Sequence, residues 1–207
     1  MKRIIYILLT TVLLGAGLSS CIKNICIQGD GLMTTEVRRT GTFNQLENTT
    51  AFDVIYKKAD SVNVSITGEK NLLDYIRTET RDNILTIRTL PGTVCFDYTD
   101  RPVITVTGPN LRGAILTGSG NMIADEMSGE IVSIKLTGSG DLIAESVITG
   151  DLLVTLSGSG DLKIDDASCE NSDLLTTGSG SIDLSGVCDS GELKITHHPG
   201  SSTHQPL

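Results

Sequence analysis

Two columns of oxygen-bearing side chains recur along this chain at a spacing of 20 residues. Asn121, Asp141, Asp161 and Ser181 form one column; Asp125, Glu145, Asp165 and Ser185 form the other. If successive coils of chain stack at the sheet spacing of ~4.8 Å, neighbouring carboxylates repel, and a cation would relieve them. Oxygen-rich clusters suit calcium, which makes Asp141 and Asp161 calcium candidates. The same two carboxylates on adjacent coils could serve as the acid and base of a polysaccharide hydrolase or lyase. Several features weigh against both chemistries. The calcium-binding β-roll is a nonapeptide repeat with paired glycines, unlike this one. Trp is absent and aromatics are 3% of the chain, a poor basis for a sugar-stacking platform. Only Lys135 and Lys163 lie close to the columns, and His197, His198 and His204 all fall in the C-terminal tail. No Gly-x-Ser-x-Gly nucleophile elbow occurs. The columns therefore read as a solvated outer face that discourages edge-to-edge aggregation, with no metal, cofactor or catalytic residue expected.

The elements that would position these columns are legible. Gly-Ser-Gly returns in the same phase, at Gly118 and Gly120, Gly138 and Gly140, Gly158 and Gly160, and Gly178 and Gly180. A fixed period near 20 marks a repeat whose units share a core by stacking. Apolar residues alternate with polar ones ahead of each Gly-Ser-Gly (Val132, Ile134 and Leu136; Leu152, Val154 and Leu156). Further inward columns follow each turn: Met122/Ala124, Leu142/Ala144, Leu162/Ile164 and Ile182/Leu184, then Met127, Val147, Ala167 and Val187. Period-two alternation is the strand signal. Three short strands and three corners per repeat make one rung of a β-helix. The glycines are expected at corners because they reach positive φ without steric cost. A phosphate cradle is excluded, since a strand rather than a helix follows each Gly-Ser-Gly.

The N-terminus reads as an address. Met1-Lys2-Arg3 is basic, Ile4 to Leu14 is an apolar run of signal-peptide length, and Leu18-Ser19-Ser20-Cys21 has the form of a bacterial lipobox. Residues 1–20 are expected to be removed and Cys21 to be lipidated, anchoring the protein to a membrane without spanning it. The mature side chains then carry 14 basic and 25 acidic groups. That balance, with no basic run, argues against nucleic acid as a partner. Four further cysteines remain, an even number in an exported chain, which points to disulfides. Cys169 and Cys188 are nearly one rung apart, and Cys26 with Cys95 would tie the N-terminal segment to the first half.

Residues 21–35 are expected to be a tether. Residues 36–110 read as strands without the tight repeat and are expected to continue the coil as an irregular β-solenoid. Residues 111–195 carry the regular repeats, and 196–207 form a polar, disordered tail. Tyr56, Tyr75, Phe96 and Tyr98 read as core rather than as a binding patch, because aromatics are scarce and a core needs volume.

Ile27-Gln28-Gly29-Asp30-Gly31, Phe52-Asp53-Val54, the stretch Glu69-Lys70-Asn71-Leu72-Leu73-Asp74-Tyr75-Ile76-Arg77-Thr78-Glu79, Leu85-Thr86-Ile87 and Pro109-Asn110-Leu111 lead into the Gly-Ser-Gly ladder. With these stretches the chain resembles, over residues 27–195, the lipoproteins of the putative auto-transporter adhesin, head GIN domain family of Bacteroidetes-type bacteria. The resemblance implies an all-β, right-handed parallel β-helix, a cell-envelope location, most simply the outer membrane, and no established enzymatic activity. It supplies no functional residues. The expected function is a non-catalytic envelope lipoprotein whose β-helical faces bind a protein or glycan. The alternatives are a polysaccharide-active enzyme using surface carboxylates and a self-associating scaffold, a homo-oligomer.

Overall fold

The structure, a computed structural model, describes residues 26–92 and 95–195. The signal segment, Cys21 and the tail 196–207 lie outside the described residues. The described residues are all-β, with almost no helix, and the sheet curls into a nearly closed, barrel-like wall. Among the described residues the single helix is the four-residue α1 (Lys70–Leu73).

The regular half comprises β10 (Gly113–Leu116), β11 (Met122–Leu136), β12 (Leu142–Leu156), β13 (Leu162–Thr176) and β14 (Ile182–Ile195). β11, β12 and β13 pair in parallel, with Met122 opposite Leu142 opposite Leu162. Their inward columns hold Met122, Leu142 and Leu162, then Ala124, Ala144 and Ile164, then Ile134, Val154 and Leu174, all buried. The alternation read from the sequence thus fills one shared core, and no repeat could bury it alone.

The corner glycines have a different physical role from the one expected. None of the eight Gly-Ser-Gly glycines has a left-handed backbone; among the described glycines, positive φ belongs to Gly31, Gly92 and Gly186. A Cβ on Gly138 would overlap the carbonyl oxygen of Gly118, one on Gly158 that of Gly138, and one on Gly178 that of Gly158. Gly120, Gly140, Gly160 and Gly180 meet the carbonyls of Phe52, Gly120, Gly140 and Gly160 in the same way. Glycine is needed for close approach of backbone to backbone, not for torsion. The intervening serines expose their side chains, while the backbone N–H of Ser139 and Ser159 donate to the carbonyls of Gly118 and Gly138.

The first half departs from a purely parallel coil. β3 (Gln45–Asn48) and β4 (Asp53–Lys58) extend the parallel ladders under β10 and β11, and β7 (Ile84–Thr89) and β9 (Val103–Gly108) lie under those. Beyond them the direction reverses. β6 (Ile76–Arg81) pairs antiparallel with β7, β5 (Asn63–Glu69) with β9, and β2 (Met33–Arg38) with β5. The β6–β7 turn is Asp82-Asn83, with φ of 51° and 62°, the two positive values of a type I′ hairpin. That tight hairpin fixes the β6–β7 pair, while β5–β9 and β2–β5 are antiparallel pairs between strands distant in sequence, so this end is closed by antiparallel strands.

β1 (Ile27–Gln28) pairs with β8 (Phe96–Asp97) in a separate two-stranded sheet. The Cys26–Cys95 disulfide lies beside this pair, with Cα atoms 4.6 Å apart. It closes a loop of 69 residues, which in the chain-entropy account is worth about 4 kcal/mol. Cys169 and Cys188 are bonded across β13 and β14, with Cα atoms 4.5 Å apart.

The last coil corrects one inward assignment. β14 is one residue short at the corner between Leu184 and Gly186, so Gly186 stands opposite Ala167 and Val187 opposite Ser168. Gly186, at φ +127°, takes the place meant for an apolar side chain, and Val187 is 72% exposed.

The glycine ladder makes a prediction. Gly158→Ala should destabilise the protein by roughly 1–3 kcal/mol through backbone overlap, whereas Ser159→Ala, one residue on, should change stability by less than about 0.5 kcal/mol. Urea unfolding of both variants would check this; equal effects would contradict it.

Candidate functional site: the corner ladder and an outer groove

The corner column is a chain of hydrogen bonds. Asp53 Oδ1 accepts the backbone N–H of Asn121 at 2.9 Å, Asn121 Oδ1 that of Asp141 at 3.0 Å, Asp141 Oδ1 that of Asp161 at 2.9 Å, and Asp161 Oδ1 that of Ser181 at 2.9 Å. Each side chain reaches up one coil and satisfies a donor at the corner. The backbone N–H of Ser181, followed by its hydroxyl at 2.8 Å, holds the Asp161 carboxyl below its ordinary value. A general acid needs the opposite shift, so the geometry gives Asp161 a structural task. Asp141 uses one oxygen in the same manner. Among the described residues, no group of three or more His, Cys, Asp or Glu side chains converges as a metal site.

The second column is also engaged at its start. Both carboxylate oxygens of Asp125 accept the Lys58 backbone N–H, at 2.8 and 3.0 Å, and the Lys58 ammonium pairs with Glu126. Lys163 pairs with Asp165 along its own strand. Behind this corner Tyr56 is fully buried and donates its hydroxyl to the Gly108 carbonyl at 2.7 Å. Its hydroxyl is pushed up to about 12, first by burial and then by the charges of Asp125 and Glu126. Phe52 meets Phe96 and Tyr98, and Phe96 meets Tyr75, in tilted or edge-to-face pairs at centroid distances of 5.1 to 6.3 Å. Phe52 is core, Phe96 and Tyr98 pack half-buried against it, and Tyr75 is half-buried.

Two stretches read separately in the sequence meet at the N-terminal end. The Asn71 side chain accepts the Asp30 N–H at 3.0 Å and donates to the Gln28 carbonyl at 2.7 Å. The buried Glu69 carboxylate lies against Gly29, where any Cβ would overlap it, and accepts the Thr99 N–H at 3.3 Å. Glycine at 29 and asparagine at 71 therefore answer one geometric demand, the docking of β1 on α1 and β8.

The feature that sequence reasoning missed is a groove of about 450 Å³ on the outer surface of β11 to β14, lined by Ile131, Asp151, Leu153, Asn171, Asp173 and Ser190, with Leu152 and Ser172 at its base. The pairing register explains it. Val132, Leu152, Ser172 and Gly191 occupy one column; the first two are buried apolar residues, and the loss of side-chain volume at the next two leaves a dent. Along its rim, Asn171 Nδ2 donates to Asp151 Oδ1 at 2.8 Å and the Ser190 hydroxyl to Asn171 Oδ1 at 2.6 Å. Exposed Ile131 and Leu153 add apolar contact. Such mixed lining suits a ligand with both hydroxyl or amide groups and an apolar face. The legible signal was the break in an apolar column at Ser172.

A family model described as "Putative auto-transporter adhesin, head GIN domain" matches residues 42–205. No functionally curated protein matches the chain. Solved structures do. A putative adhesin from Bacteroides fragilis NCTC 9343 is 18% identical with a TM-score of 0.69, the match covering 86% of this chain and 98% of that one. A putative adhesin from Parabacteroides merdae ATCC 43184 is 20% identical with a TM-score of 0.64, covering 82% and 80%. A putative lipid binding protein from Parabacteroides distasonis ATCC 8503 is 22% identical with a TM-score of 0.61, over the same shares. At these identities the likeness establishes a shared fold.

The corner ladder makes a second prediction. Asp161→Ala should cost about 1 kcal/mol at neutral pH through lost hydrogen bonds, and Asp161→Asn, which keeps an oxygen acceptor, clearly less. Because the folded carboxyl titrates below its ordinary value of 3.8, its contribution is complete above that value and disappears as pH falls through the folded one. The gap between wild type and Asp161→Ala should therefore close in acid. A gap that widens there, measured by urea unfolding across pH, would contradict the account.

Proposed function

The chain belongs to the putative auto-transporter adhesin, head GIN domain family, and from that premise we propose that it is a non-catalytic binding module of the cell envelope, lipidated at Cys21 and held at the outer membrane. The regular half, residues 111–195, winds in this reading as a right-handed parallel β-helix beyond an N-terminal region, 36–110, that carries the tether. The ligand is a protein or a glycan that lies along the outer face of β11 to β14.

One observation carries the proposal. The corner carboxylates nearest to chemistry accept backbone hydrogen bonds from the next coil, while the groove sets the exposed apolar side chains of Ile131 and Leu153 and the Asp173 carboxylate beside the Asp151–Asn171–Ser190 ladder. Adhesive solenoids use extended lateral surfaces of this kind.

Binding of the purified protein to glycan and envelope-protein arrays tests this. Leu153→Arg, in the groove, should abolish capture, and Asp141→Asn, in the ladder, should leave it intact. Loss with Asp141→Asn but not with Leu153→Arg would move the site to the corner and reopen the carboxylate chemistry. Protease shaving of intact cells, against a protected periplasmic control, places the module. Digestion is expected for an adhesin, and protection until lysis would replace adhesion with a periplasmic scaffold.

A further inference from the structure

We infer that the outer edge strand β2 and the turn before it rest in the interfacial zone of the lipid bilayer, so that the protein docks on the membrane through Leu32, Met33 and Val37. This inference rests on the proposed lipid anchor at Cys21.

Exposed apolar side chains concentrate at this edge. Leu32, Met33 and Val37 are 65%, 48% and 68% exposed, and among the described residues these three of the seven large exposed hydrophobics fall within six residues. The other four lie far along the chain, on β11 to β14. β2 ends the sheet, with β5 on one side and no strand on the other. Met33 and Val37 sit at alternating outward positions with Thr35 and Arg39 between and beyond them. The turn is fixed in place: Leu32 N–H donates to Asp30 at 3.0 Å, and its carbonyl accepts the Lys70 N–H at 2.9 Å.

The length of chain from the anchor brings this edge to the bilayer. Cys21 precedes Cys26 by five residues, and even fully extended these span at most ~18 Å. Cys26 is bonded to Cys95, and the segment after it is clamped to α1 through Asn71. The tether thus holds this end within ~18 Å of the anchor, and Leu32, bonded to the Lys70 N–H, lies at that end.

Charge sets the orientation. Residues 26–112 hold ten Lys and Arg against eleven Asp and Glu, whereas residues 113–195 hold three against fourteen. An anionic bilayer repels the distal coils and tolerates the root, where Arg39 and Lys70 flank the apolar residues and the Glu36 carboxylate is paired with Arg38. Apolar side chains of an interfacial element sit ~5–10 Å into the headgroup and acyl boundary, a wet zone in which an open strand edge keeps its hydrogen bonds to water.

The chain has no Trp, so a single introduced indole reports its own depth. Val37→Trp and, as the distal control, Ile148→Trp are prepared as acylated protein and reconstituted into vesicles of phosphatidylethanolamine and phosphatidylglycerol with brominated acyl chains. The expected result is that Val37→Trp loses most of its emission and shifts to the blue, while Ile148→Trp keeps both. Unquenched Val37→Trp in protein that floats with the vesicles would overturn the docking and leave the anchor standing. Equal quenching at both positions would also overturn it. Protein that does not float would remove the anchor itself, and the docking with it.

Discussion

At each Gly-Ser-Gly corner a carbonyl of one coil fills the volume that a Cβ on the next coil would need. Backbone therefore lies on backbone, and this contact admits neither a side chain nor a change of spacing. The rest of the regular half follows from it. With the corner fixed, Met122, Leu142 and Leu162 must align, and the inward columns become a continuous core. The oxygen of each Asn or Asp is brought beside the N–H one coil above. The first corner shows the same rule from below. Thr50 and Phe52 stand where the later coils have glycine; the Thr50 hydroxyl donates to Asn48 and Phe52 packs on Phe96 and Tyr98.

Much of this was legible, and the exceptions are instructive. The strands, the inward columns and the 20-residue register came directly from alternation and period. The conformational reason for the glycines did not, because sequence shows that a side chain is missing without showing whether torsion or contact excludes it. The β6–β7 reversal was hidden in one dipeptide, Asp82-Asn83, whose left-handed backbone turns the chain back, and the antiparallel β5–β9 and β2–β5 pairs join strands too far apart in sequence for any local signal. Val187 looked like a core residue because the column was extrapolated past a corner that is one residue short. The groove escaped because it arises from residues that are too small, Ser172 and Gly191, in a column defined by larger ones.

These exceptions share a location. Where the repeat is most regular, its polar side chains serve the coil itself: Asp141 and Asp161 are hydrogen-bonded into the corner, and Asp125 receives the end of β4. The features available to another molecule lie where the repeat lapses, in the dent at Ser172 and along the uncovered β2. In a stacked fold the periodic positions answer first to the neighbouring coil, as Asp151, Asn171 and Ser190 do even at the rim of the dent. The repeated carboxylates attract attention in the sequence because they recur, and recurrence is the property that ties them to structure.

The Cys26–Cys95 bridge also has a mechanical meaning. A pull on the N-terminus, such as a membrane anchor would exert on a protein gripping something else, reaches Cys26 first and crosses to Cys95 through sulfur. From there it runs through β8 to β9, which is flanked on both sides by β5 and β4. The backbone of the intervening 69-residue loop is bypassed, and its strands β4 and β5 take up load only through their ladders with β9. Load enters the sheet at an interior strand, where it must shear two ladders at once, and the weakly paired N-terminal strands are spared from peeling.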